Sequence, residues 1–241
     1  MSNPADRPHR FYKTASLIPD NGGFAVSLDG RTAKTPAGLR LRAPTQALGR
    51  ILLAEWSAQA DKIDFNTMPA TRLAFTAIDR TPGAREPMAA EIARIVSVDH
   101  LCYFADYPSK LIDRQEQRWG PWLAWAERTL GLVLIRAKGI NHQAQPPETL
   151  SRAKALALEL DDFALSGLAF AAGLYGSGVL AFAALKGALS GEAALDLARL
   201  DEQFQEEQWG VYAEAAARAA LLCEEARMLD AWFAALNTPA A

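Results

Sequence analysis

At residues 24–31 the sequence reads FAVSLDGR, a pattern that indicates a β-hairpin. Large apolar residues alternate with small ones, as expected for a strand that buries one face. The Asp-Gly pair that follows supplies the positive φ angles of a tight turn, and residues 31–35 form the predicted return strand. Residues 11–18 upstream, and Leu39 with Leu41 downstream, complete a small antiparallel sheet.

The next segment changes from the strand period to the helix period. Thr45 follows a proline and suits the N-cap position of a helix. Apolar residues then recur at helical spacing through residues 46–60, and we expect this amphipathic helix to cover one face of the sheet. Further helices are predicted at 71–79 and 85–97, and the N-terminal α+β domain is predicted to span 1–80.

The composition of the 241-residue chain changes near its middle. Only one of the 13 prolines follows residue 147, and the alanines increase from 18 in residues 1–120 to 30 in residues 121–241. Because proline breaks helices and alanine favours them, residues 81–241 are predicted to form a larger all-helical domain. The predicted fold class is therefore α+β. The main predicted helices span 109–130, 147–160, 190–209 and 213–236, the first being kinked or split at Gly120-Pro121.

The uncharged stretch at residues 163–185 reaches the length of a membrane span. It is rich in Ala and Gly, however, Gly176-Ser177-Gly178 interrupts it, and no basic cluster flanks it. We therefore predict a pair of short buried helices and no stable membrane insertion, with a membrane span as the alternative. The N-terminus has no apolar segment typical of secretory signals, so a cytoplasmic protein is expected.

The charge and the cysteine content argue against several classes of function. Lys+Arg (25) is outnumbered by Asp+Glu (28), which is not typical of a protein that binds nucleic acid. Two cysteines, Cys102 and Cys223, cannot build a disulfide scaffold. His100 and Cys102 are the one close His/Cys pair and fall short of the four ligands of a zinc site. No phosphate-binding glycine motif is present, so no cofactor is predicted.

Four acidic residues crowd the predicted helix at 190–209, namely Asp201, Glu202, Glu206 and Glu207. A solvated or partner-facing acidic helix is the favoured interpretation, because residues four positions apart lie on one helix face. A hydrolase that uses the acidic cluster at 201–207 is the alternative, since glycosidases act with a pair of carboxylates. That alternative requires two carboxylates that converge in a pocket and have raised pKa values.

Charge is distributed unevenly along the chain. Residues 1–50 hold eight Lys/Arg against three acidic residues, a net charge of +5, whereas residues 187–230 hold three Arg against ten acidic residues, a net charge of −7. Two solvated faces would explain this distribution. The functional interpretation is a bipolar docking surface that orients a protein partner.

The tryptophans are interpreted first as packing residues. Trp119, Trp122 and Trp125 lie three residues apart, which favours one core-facing stripe on a helix. Trp56 and Trp209 are also interpreted as structural. An exposed tryptophan among them would instead indicate an interface anchor.

Many short motifs occur in an order that resembles the ATP-twelve chaperones, which assist assembly of the soluble catalytic sector of F-type ATP synthase. The resemblance runs from about residue 10 to about residue 230 and depends on the whole ordered set. The motifs are Arg10-Phe11-Tyr12-Lys13, Val26-x-Leu28-Asp29-Gly30-Arg31, Lys34-Thr35-Pro36, Glu55-Trp56-x-x-Gln59, Met68-Pro69-x-Thr71-Arg72-Leu73, Ala77-Ile78-Asp79, Asp99-x-Leu101-Cys102-Tyr103, Gln115-x-x-x-Trp119-x-Pro121, Gly176-Ser177 and Leu200-Asp201-Glu202-x-Phe204-Gln205-x-x-x-Trp209-Gly210.

The resemblance implies a molecular chaperone and not an enzyme. Such proteins bind the free α subunit of the synthase and shield its exposed interface until the β subunit joins. The resemblance also implies a small N-terminal α+β domain followed by an orthogonal helical bundle. Mitochondrial members carry an import segment, whereas this sequence begins close to the first motif. A bacterial cytoplasmic location is therefore expected. We also predict a monomeric chain.

The resemblance further indicates which residues act. In the family, an acidic position in the C-terminal helix before Trp-Gly is tied to chaperone function, and it corresponds here to Asp201, with Glu202 adjacent. The partner-binding residues are accordingly predicted to be Asp201, Glu202, Glu206 and Trp209. The residues predicted to have structural roles are Trp56, Arg72 and Asp79.

Overall fold

The structure is a computed structural model that describes residues 7–139 and 142–237. The first four strands form one antiparallel sheet, in which the second strand pairs with the other three. Leu17 lies opposite Val26 in the longest pairing. The strands are β1 Ala15–Asp20, β2 Gly23–Leu28, β3 Arg31–Thr32 and β4 Arg42–Ala43.

The predicted hairpin turn is present between β2 and β3. Asp29 and Gly30 have φ angles of 48° and 82°, the left-handed values of a two-residue hairpin loop. The carboxylate of Asp29 accepts hydrogen bonds from the backbone N–H groups of Lys13 and Thr14. Because these groups bond to a side chain, the first strand begins at Ala15 and not at residue 11 as predicted.

Helix α1, Gln46–Ser57, covers the sheet as predicted. The hydroxyl of Thr45 caps it by accepting from the backbone N–H of Leu48 at 3.1 Å. A Cβ atom at Gly49 would lie 2.8 Å from Leu17 Cδ1, so the glycine allows the helix to approach β1 closely. Leu48 and Leu52 are fully buried on the inner face of the helix.

Helix α2, Pro69–Asp79, begins on a carboxylate supplied by α1. Glu55 accepts hydrogen bonds from the backbone N–H groups of Ala70 and Thr71 at 2.8 and 2.7 Å. The first N–H groups of a helix have no acceptor within the helix, so the carboxylate of Glu55 supplies the missing acceptor. Burial raises the pKa of Glu55, and the hydrogen bonds from α2 oppose that rise.

The contacts between Cα atoms divide the chain into two units. The N-terminal unit runs to Gly83 and also includes the chain from Ala231 onward. The helical unit is Ala84–Asp230. Two helices, α3 (Thr81–Ser97) and α10 (Ala213–Leu236), contribute residues to both units. The boundary predicted after residue 80 stays a prediction. The helices that follow α2 are α3 Thr81–Ser97, α4 Ser109–Leu130, α5 Pro147–Leu158, α6 Asp162–Tyr175, α7 Gly178–Leu185, α8 Gly191–Ala198, α9 Leu200–Trp209 and α10 Ala213–Leu236.

Helix continuity differs from the prediction at two places. Of the kink or split predicted at Gly120-Pro121, the split is absent. Helix α4 continues through Pro121, which lies on the exposed side where solvent can bond the carbonyl that the proline leaves free. The helix predicted at 190–209 is instead two helices. They meet at Arg199, whose φ and ψ angles of −99° and 15° depart from helical values. A short parallel pair of strands, β5 Tyr103–Phe104 and β6 Ala137–Lys138, also belongs to this helical unit.

Residues 163–185 fold as the predicted pair of helices, α6 and α7. Gly176 ends α6 with a φ of 60°, and the hydroxyl of Ser177 caps α7. Asp99 is fully buried and accepts from the backbone N–H of Val179 at 3.0 Å. Within the described residues, no helix has the length and apolar character needed to cross a bilayer.

The three tryptophans of α4 do not share one environment. Trp119 is 1% exposed and donates from its indole nitrogen to the carbonyl of Leu197. Trp122 and Trp125 are only partly buried and meet edge to face, with ring centroids 5.9 Å apart. The single core-facing stripe predicted for them therefore holds for Trp119 alone.

Candidate partner-binding site

Asp201 lies on the inner side of α9, where its carboxylate is held by α4. It accepts a hydrogen bond from Gln115 Nε2 at 2.8 Å, and Gln115 Oε1 accepts from the backbone N–H of Ala105 at 2.7 Å. Burial raises the pKa of Asp201, whereas the Gln115 bond and the nearby His100 lower it. The side chain is partly buried, so it positions α9 against α4.

Glu202 and Glu206 share one guanidinium group. Arg199 Nε donates to Glu202 at 2.9 Å, and Arg199 Nη2 donates to Glu206 at 2.9 Å. The Arg199 side chain is only 14% exposed, so most of it is covered while both carboxylates reach it from α9. This fork sits where α8 meets α9 and fixes the directions of two of the predicted partner-binding residues.

A second ion pair holds the outer part of α9. Arg114 donates from both terminal nitrogens to Glu207, at 2.7 and 2.8 Å, and its guanidinium lies 5.2 Å from the ring centroid of Phe204. The bonds from Arg114 lower the pKa of Glu207. Two side chains of α4 thus hold the acidic helix α9. The neutral amide of Gln115 bonds to Asp201, and the guanidinium of Arg114 bonds to Glu207.

Large apolar side chains are exposed where α9 ends. Trp209 is 74% exposed, and Val211 and Tyr212 are 57% and 77% exposed. Gly210 separates them with a φ of 84°, a value that favours glycine, and its N–H bonds the carbonyl of Glu206. The structure therefore presents an aromatic pair on a sharp turn beside the acidic helix.

A groove of about 1370 Å³ lies in the helical unit beside this turn. It is lined by residues of α6, α8, α9 and the first half of α10, together with His100 and the turn at Gly210 and Tyr212. Glu202, Glu206 and Trp209 line it, together with Phe170 of α6 and Tyr212. Three of the four predicted partner-binding residues thus border one groove, whereas Asp201 lies behind it.

Comparisons with known proteins match nearly the whole chain. Residues 9–127 match the family model described as ATP12 chaperone protein. The crystal structure of Atp12 from Paracoccus denitrificans is similar at a TM-score of 0.88 and 34% identity, covering 94% of this chain and 97% of that chain. A structure of an Asp-to-Lys mutant of that protein gives the same values.

Two other proteins extend the similarity. The crystal structure of Atu1473 from Agrobacterium tumefaciens is 36% identical at a TM-score of 0.90, covering 95% of this chain and 87% of that one. The mitochondrial protein atp12 of Schizosaccharomyces pombe is 27% identical over a 224-residue alignment that covers 87% of this chain and 77% of that protein.

The chain belongs to the ATP12 chaperone family. The resemblance drawn from the ordered motifs is thereby confirmed, and so is the α+β fold, which the Atp12 structures share. As a member of this family, the protein is a chaperone of ATP synthase assembly.

The residues predicted to be structural in this ATP12 chaperone lie in its N-terminal unit. Trp56 is 4% exposed, and its carbonyl accepts from the hydroxyl of Tyr12 at 2.6 Å. Asp79 accepts from the hydroxyl of Thr35 and from a backbone N–H of the same loop. Arg72 is exposed, and no ion pair of its side chain is found within the described residues. A structural role for these three residues stays a prediction.

Sequence reasoning missed the residues that hold the acidic helix of this ATP12 chaperone. Gln115 begins the family motif that contains Trp119. Nothing in its local sequence indicates that it bonds to Asp201, 86 positions away. Arg114 and Arg199 were likewise not selected. The exposure of Tyr212 had one signal in the sequence. The residue follows Gly210, which is predicted to end a helix, and lies between two predicted helices.

The described residues contain no group of three or more potential metal ligands. Cys102 is buried, and that burial raises the pKa of its thiol well above the usual range. Burial raises the pKa of Asp201, which does not line the groove that Glu202 and Glu206 border.

Proposed function

We propose that this ATP12 chaperone binds the free α subunit of F-type ATP synthase through the groove side of its helical unit. By binding, it covers an apolar interface of the α subunit until the β subunit takes its place. It acts by binding alone and catalyses no reaction. No cofactor takes part.

The observation that carries this proposal is the exposure of Trp209 and Tyr212 on either side of Gly210. Exposed aromatic side chains that are grouped together are typical of protein interaction sites, and tryptophan and tyrosine are enriched among residues that dominate binding energy. Here they stand at the end of the helix that carries the predicted acidic position. One partner can therefore contact the exposed aromatic rings and the carboxylates of α9 at the same time.

The charged residues beside the aromatic pair suit a temporary partner. Glu202 is about two-thirds exposed while one of its oxygens is bound by Arg199, so its other oxygen can meet a cation on the client. Charged groups at an interface fix orientation more than they raise affinity. A chaperone needs that combination, because it must release the α subunit when the β subunit arrives.

The arrangement of the carboxylates supports binding and not hydrolysis. Glu202 and Glu206 both direct an oxygen to the guanidinium of Arg199 and do not face each other across a substrate position. Asp201, whose pKa is raised by burial, directs its bonded oxygen to Gln115. A retaining or inverting glycosidase instead needs two carboxyl groups on opposite sides of the scissile bond.

The same reasoning extends to location and state. The relatives with solved structures come from bacteria and are 34% and 36% identical, whereas the mitochondrial relative is 27% identical. We propose a bacterial cytoplasmic location on the ground of these identities, and we further propose that the chaperone is a monomer. Light scattering after gel filtration is expected to give one chain per particle.

The test is protection of the isolated α subunit from heat-induced aggregation, followed by light scattering. We expect the wild type to suppress aggregation of the α subunit but not that of the isolated β subunit. Tyr212→Ala is expected to lose most of that protection. The matched control is Tyr107→Ala, which removes an equally exposed tyrosine, 83% against 77%, from the same unit. Unchanged aggregation with the wild type, or equal losses in both variants, would contradict the proposal.

A further inference from the structure

The groove of the helical unit is lined mainly by helices, together with His100 and the turn at Gly210 and Tyr212. Helix α6 contributes Phe170, which is 36% exposed, and the small residue Gly173. The first half of α10 contributes Ala215, Ala219 and Leu222. These positions recur every three or four residues, so they form one continuous face of α10. That face is only partly covered by the chain itself.

The walls favour a helical occupant over an extended one. Within a helix the backbone N–H and C=O groups bond to each other, so walls made of helices offer no strand edge to an incoming chain. An extended segment laid in this groove would leave its own backbone groups unpaired. A helix satisfies its backbone internally and binds an apolar groove through side chains spaced three and four residues apart.

The dimensions agree with a short helix. A helix with its side chains is about 10–12 Å across and rises about 1.5 Å per residue, so about 1370 Å³ accommodates roughly ten residues, or about three turns. Small residues on the facing walls, such as Gly173 and Ala215, allow the axes of packed helices to approach to the usual 8–10 Å.

The charges that line the groove indicate a basic partner. Four carboxylates face it against two guanidinium groups, Arg199 and Arg218. Arg199 is already bound to two of these carboxylates. The other two, Glu214 and Glu225, are on α10 and make no ion pair within the described part of the chain. The net charge of the lining is therefore −2, which is complementary to lysine or arginine.

We propose that this groove binds one amphipathic α-helix of about three turns, with alanine and leucine on its buried face and lysine or arginine on its flanks. The inference rests on the proposed function, because it is the client subunit that would supply such a helix. It adds the secondary structure and the charge of the segment that this ATP12 chaperone recognises.

The direct test uses two labelled synthetic peptides of about 16 residues. Both carry the same alanine and leucine face, and their flanks carry lysine in one peptide and glutamate in the other. We expect the lysine peptide to bind at least about tenfold more tightly by fluorescence anisotropy, and its affinity to fall as salt is raised. Equal affinities for the two peptides, or no binding of the lysine peptide, would overturn the proposal.

Two alanine-to-tryptophan variants locate the binding. Ala215→Trp places a bulky side chain in the groove, whereas Ala217→Trp places it about 200° around the same helix. Both alanines are exposed, so neither variant requires the core to be repacked, and both should melt as the wild type does. We expect Ala215→Trp to weaken binding of the lysine peptide about tenfold or more and Ala217→Trp to leave it unchanged. Equal affinities of the two variants would overturn the assignment to the groove.

The α-subunit aggregation assay separates the two proposals. If Ala215→Trp protects the α subunit as well as Ala217→Trp does, the groove proposal fails, while protection by the wild type still supports binding of the α subunit. If the wild type itself gives no protection, the proposed function fails, whatever the peptides do. A dimer in sedimentation that Ala215→Trp abolishes would assign the groove to a second copy of this chain and overturn the proposal.

Discussion

Two tryptophans in motifs of the same family have opposite environments in this protein. Trp56, in the N-terminal unit, is 4% exposed and meets Tyr12 and Phe65 with ring centroids 5.9 and 6.3 Å away. Trp209, in the helical unit, is 74% exposed. One ring completes a core, and the other is left to solvent at the end of a charged helix.

The difference shows that motif residues of one family can serve different physical purposes. In the N-terminal unit, Trp56 and the adjacent Glu55 direct their side chains into contacts that hold α1 to its surroundings. In the helical unit, α9 directs Asp201 and Phe204 inward and leaves Trp209 outside. Substitutions at the first unit's motif should therefore lower stability, and those at the outer side of α9 should lower binding.

The largest expected effect is that of Trp56→Arg. The substitution removes a buried aromatic ring and places a guanidinium where no partner is provided, which should lower the free energy of unfolding by roughly 4 kcal/mol or more. We expect a chain that is largely unfolded or insoluble at 25 °C. Circular dichroism and urea denaturation measure the effect.

Trp209→Arg is the control that makes the comparison sharp. Because Trp209 is exposed, the same substitution there should change the free energy of unfolding by less than about 0.5 kcal/mol. It should nevertheless reduce protection of the α subunit. A Trp56→Arg chain that is soluble and melts normally would break the contrast between the two tryptophans.

A smaller loss of stability is expected from Glu55→Ala. The backbone N–H groups of Ala70 and Thr71 would lose their acceptor at the start of α2, and unpaired buried donors cost about 1–3 kcal/mol. Glu55→Gln keeps one carbonyl oxygen and should lose roughly half as much. Urea denaturation of the two variants measures this ratio. Stabilities of both variants equal to that of the wild type would mean that the capping bonds contribute nothing.

Charge reversal separates two neighbours on α9. Asp201→Lys places an ammonium group against the amide nitrogen of Gln115, so two donors face each other, and a loss of about 1–2 kcal/mol is expected. Glu202→Lys changes an exposed side chain and should alter stability by less than about 0.5 kcal/mol. Thermal unfolding of each variant provides the measurement.

The aggregation assay completes the test at these two positions. We expect Glu202→Lys to weaken protection of the α subunit without loss of stability, and reversal at both positions to weaken it further. Stability losses that match the protection losses at Glu202 would show that this residue serves the fold. They would remove it from the predicted binding surface.

Much of the fold was predictable, because local chemistry determines it. The alternation and the Asp-Gly turn at residues 24–31 gave β2 and its hairpin, and Thr45 gave the start of α1. Gly176 and Ser177 likewise separated α6 from α7. In each case the residue determines the conformation of backbone within four positions of itself. A short sequence pattern is therefore enough to predict the turn or the helix end.

The errors and omissions have a common cause in contacts between distant residues. The first strand is short because Asp29 binds backbone groups 15 and 16 positions away. Asp201 turns inward because Gln115, on another helix, donates to it. The exposure of Trp209 likewise depends on what the remaining helices leave uncovered. No spacing rule contains these facts, and so the site was only partly predictable.

The smallest expected effect is a difference in the sign of pH dependence between two carboxylates of α9. Glu207 is bound by Arg114, which lowers its pKa. Its contribution to stability is therefore fully present above the unfolded value of about 4.3 and is lost as pH falls through the lowered pKa. Glu207→Gln should lower the free energy of unfolding at pH 7 but have no such effect at the lowest pH that keeps the chain folded.

Asp201 should behave in the opposite way, because burial raises its pKa. A carboxyl that holds its proton more tightly in the folded state stabilises the fold below the unfolded value of about 3.9, and this stabilisation is lost as pH rises through the raised pKa. Relative to Asp201→Asn, the wild type should thus become less stable as pH rises from about 3.5 to about 7, by less than about 1 kcal/mol because solvent screens a partly buried group. Urea denaturation across that range measures both differences. Parallel pH profiles for the two variants would mean that α4 does not hold the two carboxylates in different environments.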